Sequence, residues 1–328
     1  MTRKVILLLF LLALSPMAAG QEFSVMFYNV ENLFDAVDDT TINDEEFLPE
    51  GTRGWTAGRY NRKISALARA VSAAGEWELP SLIGLCEVEN EAVLGDLAFG
   101  TVLSAGNYGI VHTNSPDQRG IDVALLYRRD HFSIAEVRSW IPQRPEDNPF
   151  TSRNLLYAKA FRNSDTLHVI VCHFPSRRGG VLATQVAREE MAQLLRAGTD
   201  SLLSVAPEAA IIVMGDFNAG PDDDIMNMIT RGDLLVNVSG RLVTADIGTY
   251  RYQGQWEVID QLLVSPSMAE GSGPFNAVME SVRVPDASFL LVDDPDYPGK
   301  KPFATYSGFR YAGGYSDHLP VIFNVRYR

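Results

Sequence analysis

Cysteine is scarce in this chain, two in 328 residues, and a disulfide-dense scaffold is excluded. Basic charge is also in deficit. Lys and Arg total 28 against 41 Asp and Glu, a formal balance of −13, so the chain is not a polycation that coats nucleic acid with its whole surface. Past the N-terminal segment, no apolar run approaches the roughly 20 residues needed to span a bilayer. No internal repeat and no low-complexity linker is visible. What is present, 46% hydrophobic, 21% charged and 10% aromatic residues, describes a globular chain with a sizeable core and excludes disorder, collagen and coiled coil.

Thr2-Arg3-Lys4 precedes an apolar run at 5–14, and Ala18-Ala19-Gly20 places small residues just before Gln21. This is the pattern of a cleaved export signal over residues 1–20, with a membrane anchor as the alternative; the apolar run is short for a span. Cleavage removes two basic residues, leaving 26 against 41 acids and a balance of −15. The expectation is a soluble protein of the periplasm or extracellular space.

Short apolar, β-branched runs bounded by polar or Gly/Pro clusters recur at 24–28, 82–86, 121–127, 167–172, 210–214, 258–264 and 320–325, and predict buried strands. Helical spacing of Ile64, Leu67, Ala68 and Val71 predicts a helix over 60–74. Ala187, Met191, Leu194 and Leu195 predict another over 181–197. Helices interspersed with many strands fit two sheets packed face to face with helices outside. Two stretches lack periodicity, the acidic segment 35–59 and the Gly-, Pro- and aromatic-rich segment 265–314, and loops of that length are commonly functional or mobile. Cys86 and Cys172 sit in strand-like runs, as buried small hydrophobes or, in an oxidising compartment, as one bridge. Strand alternation points each away from its polar neighbour, Glu87 or His173.

Several strands end in a polar residue: Asn29, Glu87, His173, and Asp216 with Asn218. Any one of these is unremarkable as a turn or cap residue. Converging on one rim, they would form a polar site on a rigid scaffold.

The segments that carry these residues, Phe27-Tyr28-Asn29-Val30-Glu31-Asn32-Leu33-Phe34, Leu85-Cys86-Glu87-Val88-Glu89, Val171-Cys172-His173-Phe174, Gly215-Asp216-Phe217-Asn218 and Tyr315-Ser316-Asp317-His318-Leu319-Pro320, resemble in content and order the motifs of the endonuclease/exonuclease/phosphatase superfamily. The resemblance extends over nearly the whole chain after residue 20. It implies a four-layer αββα sandwich of the deoxyribonuclease I type, a single catalytic domain over 21–328, and metal-dependent cleavage of phosphate esters. It also implies Asp317 in or near the metal sphere and Asp260 as the carboxylate that orients His318. His173 takes the place of the second histidine, which binds phosphate and protonates the leaving oxygen. Asp122 lies where relatives place that histidine's polar support.

The chemistry of the residue types agrees. Attack on an anionic phosphoester needs positive charge on the phosphoryl oxygens and an oriented water. Oxygen donors such as Glu87 and Asn29 suit a hard cation, Mg²⁺ or Mn²⁺, rather than zinc. His318 titrates near neutrality and is the candidate general base. Period two puts Asp216 and Asn218 on one side, the first to hold water and the second to donate to a phosphate oxygen. In some accounts of the family the aspartate is instead the base.

Arg177 and Arg178 precede a predicted helix and are candidate phosphate ligands, with solvated surface arginines as the alternative. Residues 299–306, with Lys301, and the following Arg310 and Tyr311 form a basic and aromatic island that could hold a base or sugar and its phosphate. The expected activity is a nuclease-type phosphodiesterase, with phosphomonoesterase or lipid and inositol phosphoesterase as the alternative and a noncatalytic phospho-ligand binder as a third reading. The expected partner is a phosphate-ester substrate, nucleic acid among the candidates; no protein partner is indicated.

Overall fold

The structure, a computed structural model, describes residues 21–177, 180–244 and 246–328. The expected leader and Arg178 lie outside the described residues. The chain begins with β1 (Gln21–Leu33), helix α1 (Ala57–Gly75), β2 (Leu82–Val88), α2 (Glu91–Phe99), β3 (Tyr108–His112) and β4 (Asp122–Arg128). It continues through β5 (Ser133–Trp140), β6 (Leu155–Arg162), β7 (Asp165–His173), α3 (Val181–Val205), β8 (Ala210–Asp216), α4 (Asp224–Thr230) and β9 (Val236–Asn237). The small hairpin β10 (Tyr250–Tyr252) and β11 (Gln255–Glu257) precedes β12 (Asp260–Val264), α5 (Pro266–Glu270) and β13 (Phe275–Arg283). Two more small hairpins, β14 (Leu291–Asp293) with β15 (Lys300–Pro302) and β16 (Tyr306–Ser307) with β17 (Arg310–Tyr311), lead into β18 (Val321–Tyr327).

Two mixed sheets of six strands result, ordered β13-β18-β1-β2-β4-β3 and β5-β6-β7-β8-β12-β9. Each has one parallel pair at its centre, β1 with β2 and β7 with β8, and antiparallel neighbours on both sides. A parallel pair needs a long crossover, and α1 and α3 supply the two crossovers. The sheets therefore share a design that no repeat in the sequence announces.

Alternation along the strands sets the layers. Gly84 faces Met214 across the sheets so closely that a Cβ on it would lie 2.4 Å from the Met214 sulfur. Even positions of β2 and β8 therefore face the space between the sheets. The β1–β2 register pairs Val25, Phe27 and Asn29 with Leu82, Gly84 and Cys86, which puts these odd positions of β1 on that same face. Behind the second sheet, Ile170, Cys172, Ile211 and Val213 pack against Met191, Ala192 and Leu195 of α3. Behind the first, Ile64, Leu67, Ala68 and Val71 of α1 join the main core. The result is the four-layer arrangement of two sheets between helices.

The stretch 265–314 is not the loop its lack of periodicity suggested. It contains α5, two hairpins and β13, an edge strand whose half-buried residues carry only a weak alternation. Segment 35–59 holds little regular structure, with a short 3-10 turn at Glu45–Phe47 and the start of α1. No helix among the described residues is long and apolar enough to cross a membrane.

Candidate active site

Parallel strands place their carboxyl ends together, and antiparallel neighbours bring their beginnings to the same rim. Asn29 lies toward the end of β1, Glu87 toward the end of β2, and His173 and Asp216 close β7 and β8. Asp260 opens β12 directly across from Asp216 in the ladder. His318 lies just before β18, the strand that runs antiparallel to β1. Asn29, His173, Asp216, Asp260 and His318 are each at most 5% exposed.

Hydrogen bonds join the two sheets at this rim. The Asn29 Nδ2 donates to Asp216 Oδ2 at 3.1 Å and Glu87 Oε1 at 3.3 Å, while its Oδ1 accepts from the Glu31 amide at 3.0 Å. The amide nitrogen of Asn29, rather than its oxygen, thus faces the two carboxylates. Glu87 sits in a β-bulge with φ 62°, and its Oε2 accepts from the Asn32 amide at 3.0 Å. His318 Nδ1 meets Asp260 Oδ2 at 2.8 Å and its Nε2 lies 3.9 Å from Asp216 Oδ2. His173 Nε2 lies 3.7 Å from Asp216 Oδ2 and 3.9 Å from Glu87 Oε1. Asn218, with φ 49°, turns its amide back to Asp216 Oδ1 at 2.8 Å.

The electrostatics separate the two histidines. Burial disfavours charge on His318, but the Asp260 charge and hydrogen bond, with Asp317 and Asp216 behind them, hold its pKa well above the usual histidine range. Burial, reinforced by Arg153, Arg119 and His318, pushes His173 well below it. His318 is accordingly a cation and His173 a neutral imidazole near pH 7. Burial raises the carboxyl of Asp216 to about 7, with Asp260 adding repulsion and His318 opposing it. Burial also raises Glu31 and Asp317.

Three features depart from the sequence expectations. Asp122 does not support His173: it binds His112 Nε2 at 3.0 Å and the Ser115 amide at 2.8 Å, and His173 Nδ1 has no partner among the described residues. Asp122 starts the strand next to β2, one position from the rim, so its neighbours on β3 and the following loop claim it first. Arg177 holds the loop after β8 through the Asn218 carbonyl at 2.7 Å and pairs with Glu257 at 2.9 Å. Cys172 faces the α3 layer as alternation requires, but Cys86 does not turn away from the chemistry. Cys86 faces between the sheets like Gly84, and the bulge turns Glu87 to that side as well, so that Cys86 Sγ lies within 4.8 Å of ligand atoms of His173 and Asp216. Both cysteines are free and buried.

Lys301 and Arg310 lie on the wall of a groove of about 700 Å³, which also includes Tyr250, Arg251, Tyr306, Tyr311 and Asp317. A smaller polar pocket, about 220 Å³, is lined by Glu31, Asn32, Arg53, Tyr306 and Asp317. Asp317 belongs to both, so the groove opens directly onto the carboxylate cluster.

The sequence reading passed over three contributors. Lys63 is 2% exposed; its Nζ lies 3.7 Å from Glu31 Oε2 and donates to the Tyr315 carbonyl at 2.6 Å. Its signal was position, since Tyr60, Lys63, Ile64 and Leu67 share one apolar helix stripe. Ser316 Oγ donates to the Asn29 carbonyl at 2.7 Å and accepts from the His318 amide at 3.1 Å, tying β1 to the histidine loop. The Tyr250 ring lies 4.8 Å from the His318 ring, a contact between distant segments that no local pattern announces.

The residues fit a divalent cation. Glu87, Asp317, Glu31 and Asp216 offer oxygen donors, and the raised carboxyl pKa values record burial and mutual repulsion that such an ion relieves. The buried Asp260 Oδ1, without a hydrogen-bond partner among the described residues, adds to the excess of acceptors.

An endonuclease/exonuclease/phosphatase family protein from Bacteroides thetaiotaomicron superposes with a TM-score of 0.62 at 17% identity, over 94% of this chain and 99% of that one. A mannosyl-6-phosphatase from the same organism gives 0.59 at 16%, over 93% and 100%. The human Nocturnin catalytic domain gives 0.55 at 16%, over 94% and 95%. No curated protein matches. A sequence profile of the Endonuclease/Exonuclease/phosphatase family matches residues 24–327, and with the strand-end residues gathered at one rim the protein belongs to that family of metal-dependent phosphoester hydrolases.

Proposed function

We propose that this chain is an exported, Mg²⁺- or Mn²⁺-dependent phosphodiesterase of nuclease type. One observation carries the diester reading: the groove of about 700 Å³ that opens beside Asp317 is walled by Tyr250, Arg251, Lys301, Tyr306, Arg310 and Tyr311. A monoester presents phosphate alone on one side of phosphorus. Aromatic rings and the exposed Arg310 guanidinium on the flank suit a substrate with a ring and a further phosphate there, while Arg251, held by Asp294 and backbone carbonyls, braces the wall. Export is inferred from the composition of residues 1–20.

Glu87 and Asp317 would hold the cation, with Asn29 aligning Glu87 against Asp216. Bound there, the ion supplies Lewis-acid charge on a phosphoryl oxygen. The attacking water fits between Asp216 Oδ2 and His318 Nε2, which are 3.9 Å apart. Asp216, with its carboxyl near 7, takes the proton that water releases, while the His318 imidazolium donates from Nε2 and stabilises the charge that develops. Asp260 keeps the proton-bearing Nδ1 of His318 fixed and Nε2 directed inward. His173, neutral, donates a hydrogen bond from Nε2 to a phosphoryl oxygen, and Asn218 adds a second from the Nδ2 hydrogen that it does not give to the Phe174 carbonyl.

A phosphomonoesterase is the second reading, favoured by the acidic balance of −15 after cleavage, which weakens attraction to a long polyanion. The name of the mannosyl-6-phosphatase relative points the same way. Purified protein with Mg²⁺ or Mn²⁺ tested on plasmid DNA, a bis-ester chromogen and a set of phosphomonoesters separates the two. Turnover of diesters supports the first; release of phosphate from monoesters alone overturns it.

A further inference from the structure

Cys86 has no part in the reaction just derived, yet it lies on the floor of the site. Cys86 keeps the inward direction set by Gly84 and Leu82, and the left-handed conformation of Glu87 in the bulge of β2 brings that carboxylate to the same side. Its Sγ, one ring nitrogen of His173 and a carboxylate oxygen of Asp216 all lie within 4.8 Å of one another. Ligand atoms on a tetrahedral zinc lie roughly 3.5 Å apart, so small side-chain rotations bring the three onto one ion. The His173 ring is 3% exposed, and its Nε2 lies 3.7 Å from Asp216 Oδ2.

We propose that Cys86, His173 and Asp216 form a second metal site, selective for thiophilic divalent cations of the zinc and cadmium class, whose occupation inhibits the enzyme. The donor set is one sulfur, one nitrogen and one oxygen, which suits zinc and offers little to Mg²⁺. Charge also matches. A thiolate, a carboxylate and a neutral imidazole cancel the two positive charges of the ion, leaving a neutral assembly in a dry place. On binding, the Cys86 S–H bond breaks and a sulfur–metal bond forms; the proton leaves to solvent. The ion holds Asp216 away from the attacking water and His173 away from phosphate, so turnover supported by Mg²⁺ stops while the oxygen ligands Glu87 and Asp317 remain unaltered. Cys172, which faces α3, takes no part and serves as the internal control.

The test uses the full chain after leader removal and Co²⁺ alone as the probe. Titration is expected to give a thiolate-to-cobalt charge-transfer band and the intense visible bands of a tetrahedral ion, at one equivalent. The bands persist in Cys172→Ser and vanish in Cys86→Ser and Cys86→Ala. In the activity arm, the Zn²⁺ concentration that halves Mg²⁺-supported turnover rises roughly tenfold or more in either Cys86 variant. Absence of the charge-transfer band in the wild type, its loss in Cys172→Ser, or its survival without Cys86 overturns the site. Equal Zn²⁺ sensitivity of wild type and both Cys86 variants overturns the inhibition. Should the Cys86 variants fail to fold, the wild-type and Cys172→Ser spectra still decide the matter. The spectroscopic result does not depend on which phosphate ester the enzyme cleaves.

Discussion

Asp260 and Asp216 are direct cross-strand partners in the β12–β8 ladder, and His318 joins them, with Nδ1 2.8 Å from Asp260 and Nε2 3.9 Å from Asp216. Two like charges side by side on a buried sheet face are costly. The imidazolium between them offsets that cost, and the arrangement fixes both its charge and its direction. Asp260→Asn is therefore expected to lower the His318 pKa and reduce kcat by a factor on the order of 10²–10⁴ with a smaller change in KM. NMR titration of the His318 ring alongside steady-state kinetics checks both. A variant that keeps wild-type kcat with an altered His318 pKa would remove Asp260 from the proton inventory.

Metal affinity should depend on pH through Asp216. Its carboxyl, at about 7, holds a proton in the metal-free protein that a cation must displace, so affinity falls as pH drops below that value, by up to about tenfold per unit for one proton. Stability without metal follows the opposite trend. The folded-state pKa values of Asp216 and His318 both lie above their unfolded values, so above pH 6.5 the native chain binds more protons than the unfolded chain and loses stability as pH rises. His173, depressed, contributes the reverse slope only below about 6.5. Thermal melts in chelator from pH 6.5 to 8.5 should show a falling Tm, with the slope flattened by Mn²⁺. A rising Tm over that window would contradict the assignment.

Much of the rim was legible because a rigid strand makes its end residue predictable. Apolar runs of five to seven residues located β1, β2, β7, β8, β12 and β18; the polar residue after each of the first four marked the site, whereas Asp260 and His318, which stand at or before the start of their strands, were placed by the family resemblance. What failed to show was whatever depends on a departure from the regular pattern or on a partner far along the chain. A single bulge at Glu87 turned Glu87 onto the face that Cys86 already occupied, so the two no longer point apart. Asp122, inferred from its segment alone, was claimed by His112 on the neighbouring strand. The edge strand β13 buries too little of either face to alternate clearly. The predicted end of α3 at residue 197 fell short of Val205 because its last turns pack less against the sheet than they face solvent.

The correction at Asp122 has its own consequence. Asp122→Asn leaves the His112 and Ser115 contacts imperfectly matched in a buried place and should cost about 1–3 kcal/mol of stability. Because those contacts lie away from His173, kcat should stay within about twofold of wild type at a temperature where the variant is folded. Urea denaturation and steady-state kinetics give the two numbers. A large loss of kcat in a fully folded variant would return Asp122 to the catalytic group.

Lys63 anchors the metal side of the rim from below. Its ammonium reaches through the apolar stripe of α1 to Glu31, whose carboxylate also accepts from the Thr305 amide at 2.6 Å and the Tyr306 amide at 3.3 Å. Through Glu31, one helix thus positions the segment that starts β16 and lines both pockets. Lys63→Met strands a buried carboxylate and should cost about 3–5 kcal/mol; adding Glu31→Gln removes the orphaned charge and should recover a substantial part of that loss. The double variant still lacks the donor to Tyr315, so the groove wall stays looser and KM for a bulky diester should rise more than kcat falls. Denaturant midpoints of the single and double variants, with KM and kcat for the double, separate a structural pair from a merely proximate one. Additive losses in the two single variants would mean that Lys63 and Glu31 do not act together.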